Sequence, residues 1–122
     1  MSHIVTVHTQ IRDAEAVSVA CRRLSWQQPV CGKHQLFTSQ VEGLAVHPPR
    51  WRFPIVCELD TGSLRYDNYG GVWGDERDVD RFKQAYAVEK ASIEARKLGR
   101  SVYEQTLADG TVKLSISAGA TA

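Results

Sequence analysis

The sequence predicts an α+β fold: an antiparallel sheet with two helices packed on one face, in the order β-α-β-β-β-β-α-β-β. Three observations carry this. The β-branched and alternating segments are short and follow one another through turn residues, whereas parallel strands would need helical crossovers between them. Only two stretches, about 14–24 and the region after Gly74, repeat apolar residues at helical spacing. The chain closes on two alternating segments around Asp109-Gly110, the dipeptide that favours a hairpin turn.

In order, His3 to Thr9 reads as a strand with Val5 and Val7 on one face. Asp13 caps a helix in which Ala14, Val17, Ala20, Cys21 and Leu24 form the apolar stripe. Pro29 and Gly32 break the chain, after which His34–Thr38 and Gly43–His47 read as two strands, the second ended by Pro48-Pro49. Phe53 to Leu59 is the most hydrophobic strand, with Phe53, Ile55, Cys57 and Leu59 inward and Glu58 outward. Asp60-Thr61-Gly62 turns it into a partner over Ser63–Tyr69. Asp75 caps the long helix, whose stripe is Val79, Phe82, Tyr86 and Ile93, widened by Ala85, Val88, Ala91, Ala95 and Leu98, with Lys97 and Gly99 as its stop. The hairpin pairs 101–107 with 111–117, placing Val112, Leu114 and Ile116 inward, and the tail AGATA frays.

With 122 residues the expectation is one domain over 1–122, at about 100–200 residues per domain. Lys+Arg 15 against Asp+Glu 14 leaves a formal net charge of +1, too small a field to steer nucleic acid or a basic partner. No apolar run approaches the roughly 20 residues a membrane helix needs, and MSHIVTVHTQ lacks the basic and apolar regions of a signal peptide. Cys21, Cys31 and Cys57 are an odd count, which fits reduced thiols in the cytoplasm better than a disulfide framework.

The most distinctive stretch is Tyr66-Asp67-Asn68-Tyr69-Gly70-Gly71-Val72-Trp73-Gly74-Asp75. Rigid aromatics beside glycines suit a recognition loop, because aromatics supply contact area and glycines let a partner backbone approach. The competing reading is a strand end, a turn and a helix cap with the aromatics closing the core. Trp51, Tyr66, Asp67, Tyr69, Gly70, Gly71 and Trp73 are the candidate interaction residues. The glycines do not make a phosphate loop, since neither a GxGxxG after a parallel strand nor a following Lys-Ser/Thr is present.

Catalytic candidates are sparse. His3, His8, His34 and His47 with the cysteines are the available metal ligands, but no CxxC, HxxxH or HExxH spacing joins them, so no metal and no cofactor is expected. Cys31, beside Pro29 and Gly32, is the exposed thiol of a thiol- or metal-dependent alternative. Glu58 with Asp60, and Asp75 with Asp78 and Asp80, fit solvation and capping better than acid–base work. Arg50-Trp51-Arg52 interleaves charge with an aromatic and offers a second alternative, a single-stranded nucleic-acid contact. The leading reading is a non-enzymatic interaction module.

Several features in order resemble a small family of domains of unknown function whose plastid and cyanobacterial members are called hypothetical chloroplast open reading frame thirty-five. They are Met1-Ser2-His3, the strand ending in Thr9, the helix ending in Leu24, Tyr66-Asp67, Trp73-Gly74-Asp75, Tyr86-Ala87 and the run Asp109-Gly110-Thr111-Val112-Lys113-Leu114. The likeness covers nearly the whole chain, and residues 29–52, with the segment PPRWRF, depart from the plastid pattern. No catalytic residue comes with the resemblance. It implies a small soluble intracellular protein that serves as an accessory subunit, with an AAA-type ATPase and a second very small protein as partners, because their genes often adjoin.

Overall fold

A computed structural model describes residues 3–118, so of the terminal AGATA only Ala118 is described and Met1-Ser2 lie outside. Among the described residues, seven antiparallel strands and two α-helices follow one another as β1 (Val5–Val7), α1 (Ala14–Arg23), β2 (Val30–Gln35), β3 (Gln40–Val46), β4 (Ile55–Glu58), β5 (Ser63–Tyr66), α2 (Glu76–Lys97), β6 (Ser101–Thr106) and β7 (Val112–Ser117). The α+β class and the order of elements are those the sequence predicts. The strands divide between two sheets, one ordered β1-β5-β4-β3-β2 and a separate pair β6-β7. The chain forms two compact units, Met1–Tyr86 and Ala87–Ala122, with α2 running through the boundary.

In the first unit short turns join β2 to β3 and β4 to β5, the segment 47–54 joins β3 to β4, α1 lies between β1 and β2, and β5 pairs with β1 at the far edge. Register fixes the faces. Leu44 lies opposite Cys57, Cys57 opposite Leu64 and Leu64 opposite Val7, which gives one apolar side. Ala16, Val17, Ala20 and Cys21 of α1 are buried, as are Val79, Phe82, Ala85 and Tyr86 on the first turns of α2. Asp13 Oδ1 accepts from the Glu15 and Ala16 amides and caps α1. The Tyr86 hydroxyl accepts from the amides of Arg12 and Asp13, both at 3.1 Å, tying the start of α1 to α2.

Strand β4 departs from simple alternation. Ile55, Val56 and Cys57 are all fully buried, because Val56 joins Leu36 and Val41 in a second cluster against which Ile4 and Phe53 pack. A strand in the middle of its sheet with both faces covered reads as a continuous apolar run. Glu58 points outward as expected, and its Oε1 lies 3.1 Å from the Arg65 guanidinium. Strand β2 also shifts from its predicted span: it starts at Val30 and stops at Gln35, and Leu36–Ser39 form the turn, closed by the Leu36 amide on the Ser39 carbonyl at 2.8 Å. Gly32 does not break it, because Gly32 pairs with Gly43 on an edge strand, where a missing side chain costs little packing.

In the second unit α2 ends in a Schellman cap: the Gly99 amide reaches the Arg96 carbonyl, the Arg100 amide reaches Ala95, and Gly99 takes φ 72°. Lys90 and Glu94 pair at 3.0 Å on its exposed side. Val102, Val112 and Leu114 of the hairpin are only half-buried and Ile116 is exposed, so the inward set predicted there does not form a closed core; Leu98, one residue past the helix, is exposed as well.

Candidate functional site

The loop between β5 and α2 is built from its buried end upward. Tyr66, 2% exposed, and Asp67, 1% exposed, point into the protein. The Tyr66 hydroxyl donates to the Glu76 carboxylate at 2.9 and 3.0 Å, and burial together with that carboxylate pushes its phenol well above the usual range. Asn68 is buried too; its amide donates to the Gly74 carbonyl and to Glu76 Oε1, while its carbonyl accepts from Gly71 and Trp73. Asp67 Oδ1 accepts from the Tyr69 amide, and Oδ2 is buried with no partner among the described residues. This polar frame forces a sharp reversal in which Tyr69, Gly70 and Gly71 take φ of 47°, 61° and 102°. A Cβ at Gly70 or Gly71 would touch nothing, so the glycines serve the left-handed backbone rather than close approach.

The reversal aims Tyr69 and Trp73 at one side. Their rings stack at 4.8 Å, Trp73 meets Phe53 edge-on at 5.5 Å and Phe37 at 5.0 Å, and Phe37 meets Phe53 at 6.3 Å. The Arg52 guanidinium lies over this group, 4.6 Å from the Trp73 ring centre and 5.3 Å from that of Phe53, held by its own amide on the Trp73 carbonyl at 3.0 Å. Phe37 is 48% exposed, Tyr69 40% and the adjoining Val72 73%. Four aromatic rings and a cation thus meet at one surface.

Trp51 lies apart from that group. Its ring packs on Gly74 so closely that a Cβ there would overlap the indole, its edge meets Tyr66 at 5.6 Å, and its indole N–H donates to Asp78 Oδ2 at 2.9 Å. Of the candidate interaction residues, Tyr69, Gly70, Gly71 and Trp73 therefore form the exposed turn and its aromatic group. Tyr66, Asp67 and Trp51 form the frame beneath it. Phe37, Phe53 and Arg52 complete the group, from two segments far from the loop in the sequence. The signal for Phe37 was an aromatic placed inside an otherwise polar turn, Phe37-Thr38-Ser39.

Arg50, on the other side of Trp51 in the chain, faces a different space. A cleft of about 490 Å³ lies between Trp26, Pro49, Arg50 and Trp51 on one wall and Gly74, Asp75, Arg77, Asp78 and Arg81 on the other. Arg77 binds Asp75 through both carboxylate oxygens, which together with the Arg77 amide holds the Asp75 carboxyl below its usual range. Arg81 lies 3.5 Å from Asp78. Arg50 and Arg52 thus stand on opposite sides of Trp51, not on one strip.

Elsewhere, burial pushes the Cys21 thiol up to about 11 and the Cys57 thiol higher still, which keeps both protonated. Cys31 is exposed on β2, an edge strand. His47 Nδ1 and His34 Nε2 are buried without partners among the described residues, and burial with the nearby His34 holds His47 below the usual histidine range. Among the described residues no three His, Cys, Asp or Glu side chains gather as a metal-ligand set, and no helix is long and apolar enough to cross a membrane. No protein-family model, curated protein or solved structure matches the chain.

Proposed function

We propose that this protein is a non-enzymatic interaction module, an accessory subunit that docks a larger assembly through the Phe37–Phe53–Tyr69–Trp73 surface and its Arg52. The observation that carries the reading is the exposure of that aromatic group. Burying rings of this size against one another normally shields them, yet Phe37 and Tyr69 keep 48% and 40% of their surface in contact with solvent. Aromatic and arginine side chains are the types that dominate the binding energy of protein interfaces. The backbone supports the reading as well: a non-glycine residue in the left-handed region costs free energy, and Tyr69 is held there at the tip of the surface. The resemblance to the family of domains of unknown function supplies the partner class, an AAA-type ATPase together with a second very small protein.

The test is affinity purification of the tagged chain from its own cells, wild type beside Trp73→Ala/Tyr69→Ala and beside Phe37→Asp. The AAA-type ATPase retained by the wild type and lost from both variants is the expected result. Partners bound as before by both folded variants would remove this surface from consideration.

A further inference from the structure

We propose that the cleft between the Pro49–Trp51 turn and the first turns of α2 binds a small phosphorylated ligand with a planar ring, of the nucleoside monophosphate class. Three arginines, Arg50, Arg77 and Arg81, line it together with two acidic residues, Asp75 and Asp78. Both carboxylates are engaged, Asp75 with Arg77 and the start of α2, Asp78 with the Trp51 indole and Arg81. Arg50 alone among the three has no hydrogen-bond or ion-pair partner among the described residues. The cleft therefore carries one uncompensated positive charge beside the positive end of a helix dipole, where an anion is favoured.

Two further features support a ligand in the cleft. Arg50 takes φ 68°, a conformation a bulky side chain reaches only at a cost and which a glycine would adopt freely. Its presence there gives up stability in exchange for an arginine on the cleft wall, a pattern found at binding sites. The flanking side chains are tryptophans: Trp26, stacked on Phe82 at 6.4 Å, and Trp51, locked by Gly74 and Asp78. Both are rigid and neither fills the space. A volume of about 490 Å³ falls within the range typical of small-molecule sites. Arginine forks match a phosphate through paired hydrogen bonds and tryptophan faces take a planar base by stacking.

Quenching of tryptophan fluorescence by AMP tests this, with adenosine and inorganic phosphate as separate arms and a single-stranded oligonucleotide as a fourth. Saturable quenching by AMP, tighter than either part alone and weakened by salt, is expected. Arg50→Gly is the decisive variant: it should weaken AMP binding about tenfold while leaving the melting temperature equal to or above that of the wild type. Arg81→Gln, an exposed side chain, should weaken binding independently. No saturable quenching by AMP, binding of AMP by both variants as tightly as by the wild type, or binding confined to the oligonucleotide would each overturn the proposal.

Discussion

Gly74 and Gly70 lie four residues apart and resist substitution for different reasons. At Gly74 the added methyl meets the indole of Trp51, and that ring cannot swing away because Asp78 and Tyr66 hold its other sides. Gly74→Ala should cost about 2–3 kcal/mol of stability in urea unfolding, in the range of overpacked sites. At Gly70 nothing is near, and only φ 61° resists a side chain, so Gly70→Ala should cost about 1 kcal/mol. A protonation site gives a third residue-scale prediction. His47 is held below its unfolded value by burial and by His34, so the folded protein binds its proton less readily than the unfolded chain. This contribution to stability is complete above the unfolded pKa near 6.5 and is lost as pH falls below it toward the folded value. Melting temperatures should decline from pH 7.5 to pH 5, and His47→Gln should flatten that decline.

The helix ends show what element-scale chemistry decides. Both helices close with the same paired amides. After α1 these run Ser25 to Arg22 and Trp26 to Cys21, and after α2 they run Gly99 to Arg96 and Arg100 to Ala95. The left-handed position is Gly99 in one and Ser25, at φ 60°, in the other. Ser25→Gly should therefore stabilise the protein by up to about 1 kcal/mol and Gly99→Ser destabilise it by a similar amount, read from denaturant midpoints. At the other end of α1, Tyr86→Phe removes the acceptor for two backbone amides and should cost about 1–3 kcal/mol. The caps Asp13 and Asp75, the breaks at Pro48-Pro49 and the Asp109-Gly110 hairpin were legible in the sequence because each rests on local chemistry. The Tyr86 contact was not, since it joins residues 73 and 74 positions apart. The span of β2 was misplaced for the same reason: whether Gly32 breaks a strand depends on its partner Gly43, and pairing is not a local property.

For the whole molecule, the near-zero charge excluded a long-range field but could not say which aromatics meet. Tyr69, Gly70, Gly71 and Trp73 were readable as one loop because they are consecutive. Their group with Phe37, Phe53 and Arg52 exists only once β2, β3 and β4 are paired and the PPRWRF segment lies against Trp73. The same folding sends Arg50 and Arg52 to opposite sides of Trp51, turning one basic-aromatic motif into parts of two surfaces. Val56 shows the converse limit, because an alternating pattern places it outward while a second apolar cluster covers it.

Docking through the aromatic surface is read from the affinity of the purified chain for the AAA-type ATPase proposed as its partner. Phe37→Asp changes a half-exposed side chain outside the buried frame, so it separates docking from folding. Binding should be at least about tenfold weaker for Phe37→Asp while circular dichroism shows the fold retained, the loss expected when one anchoring ring of an interface is replaced by a charge. An affinity equal to that of the wild type would contradict docking through this surface.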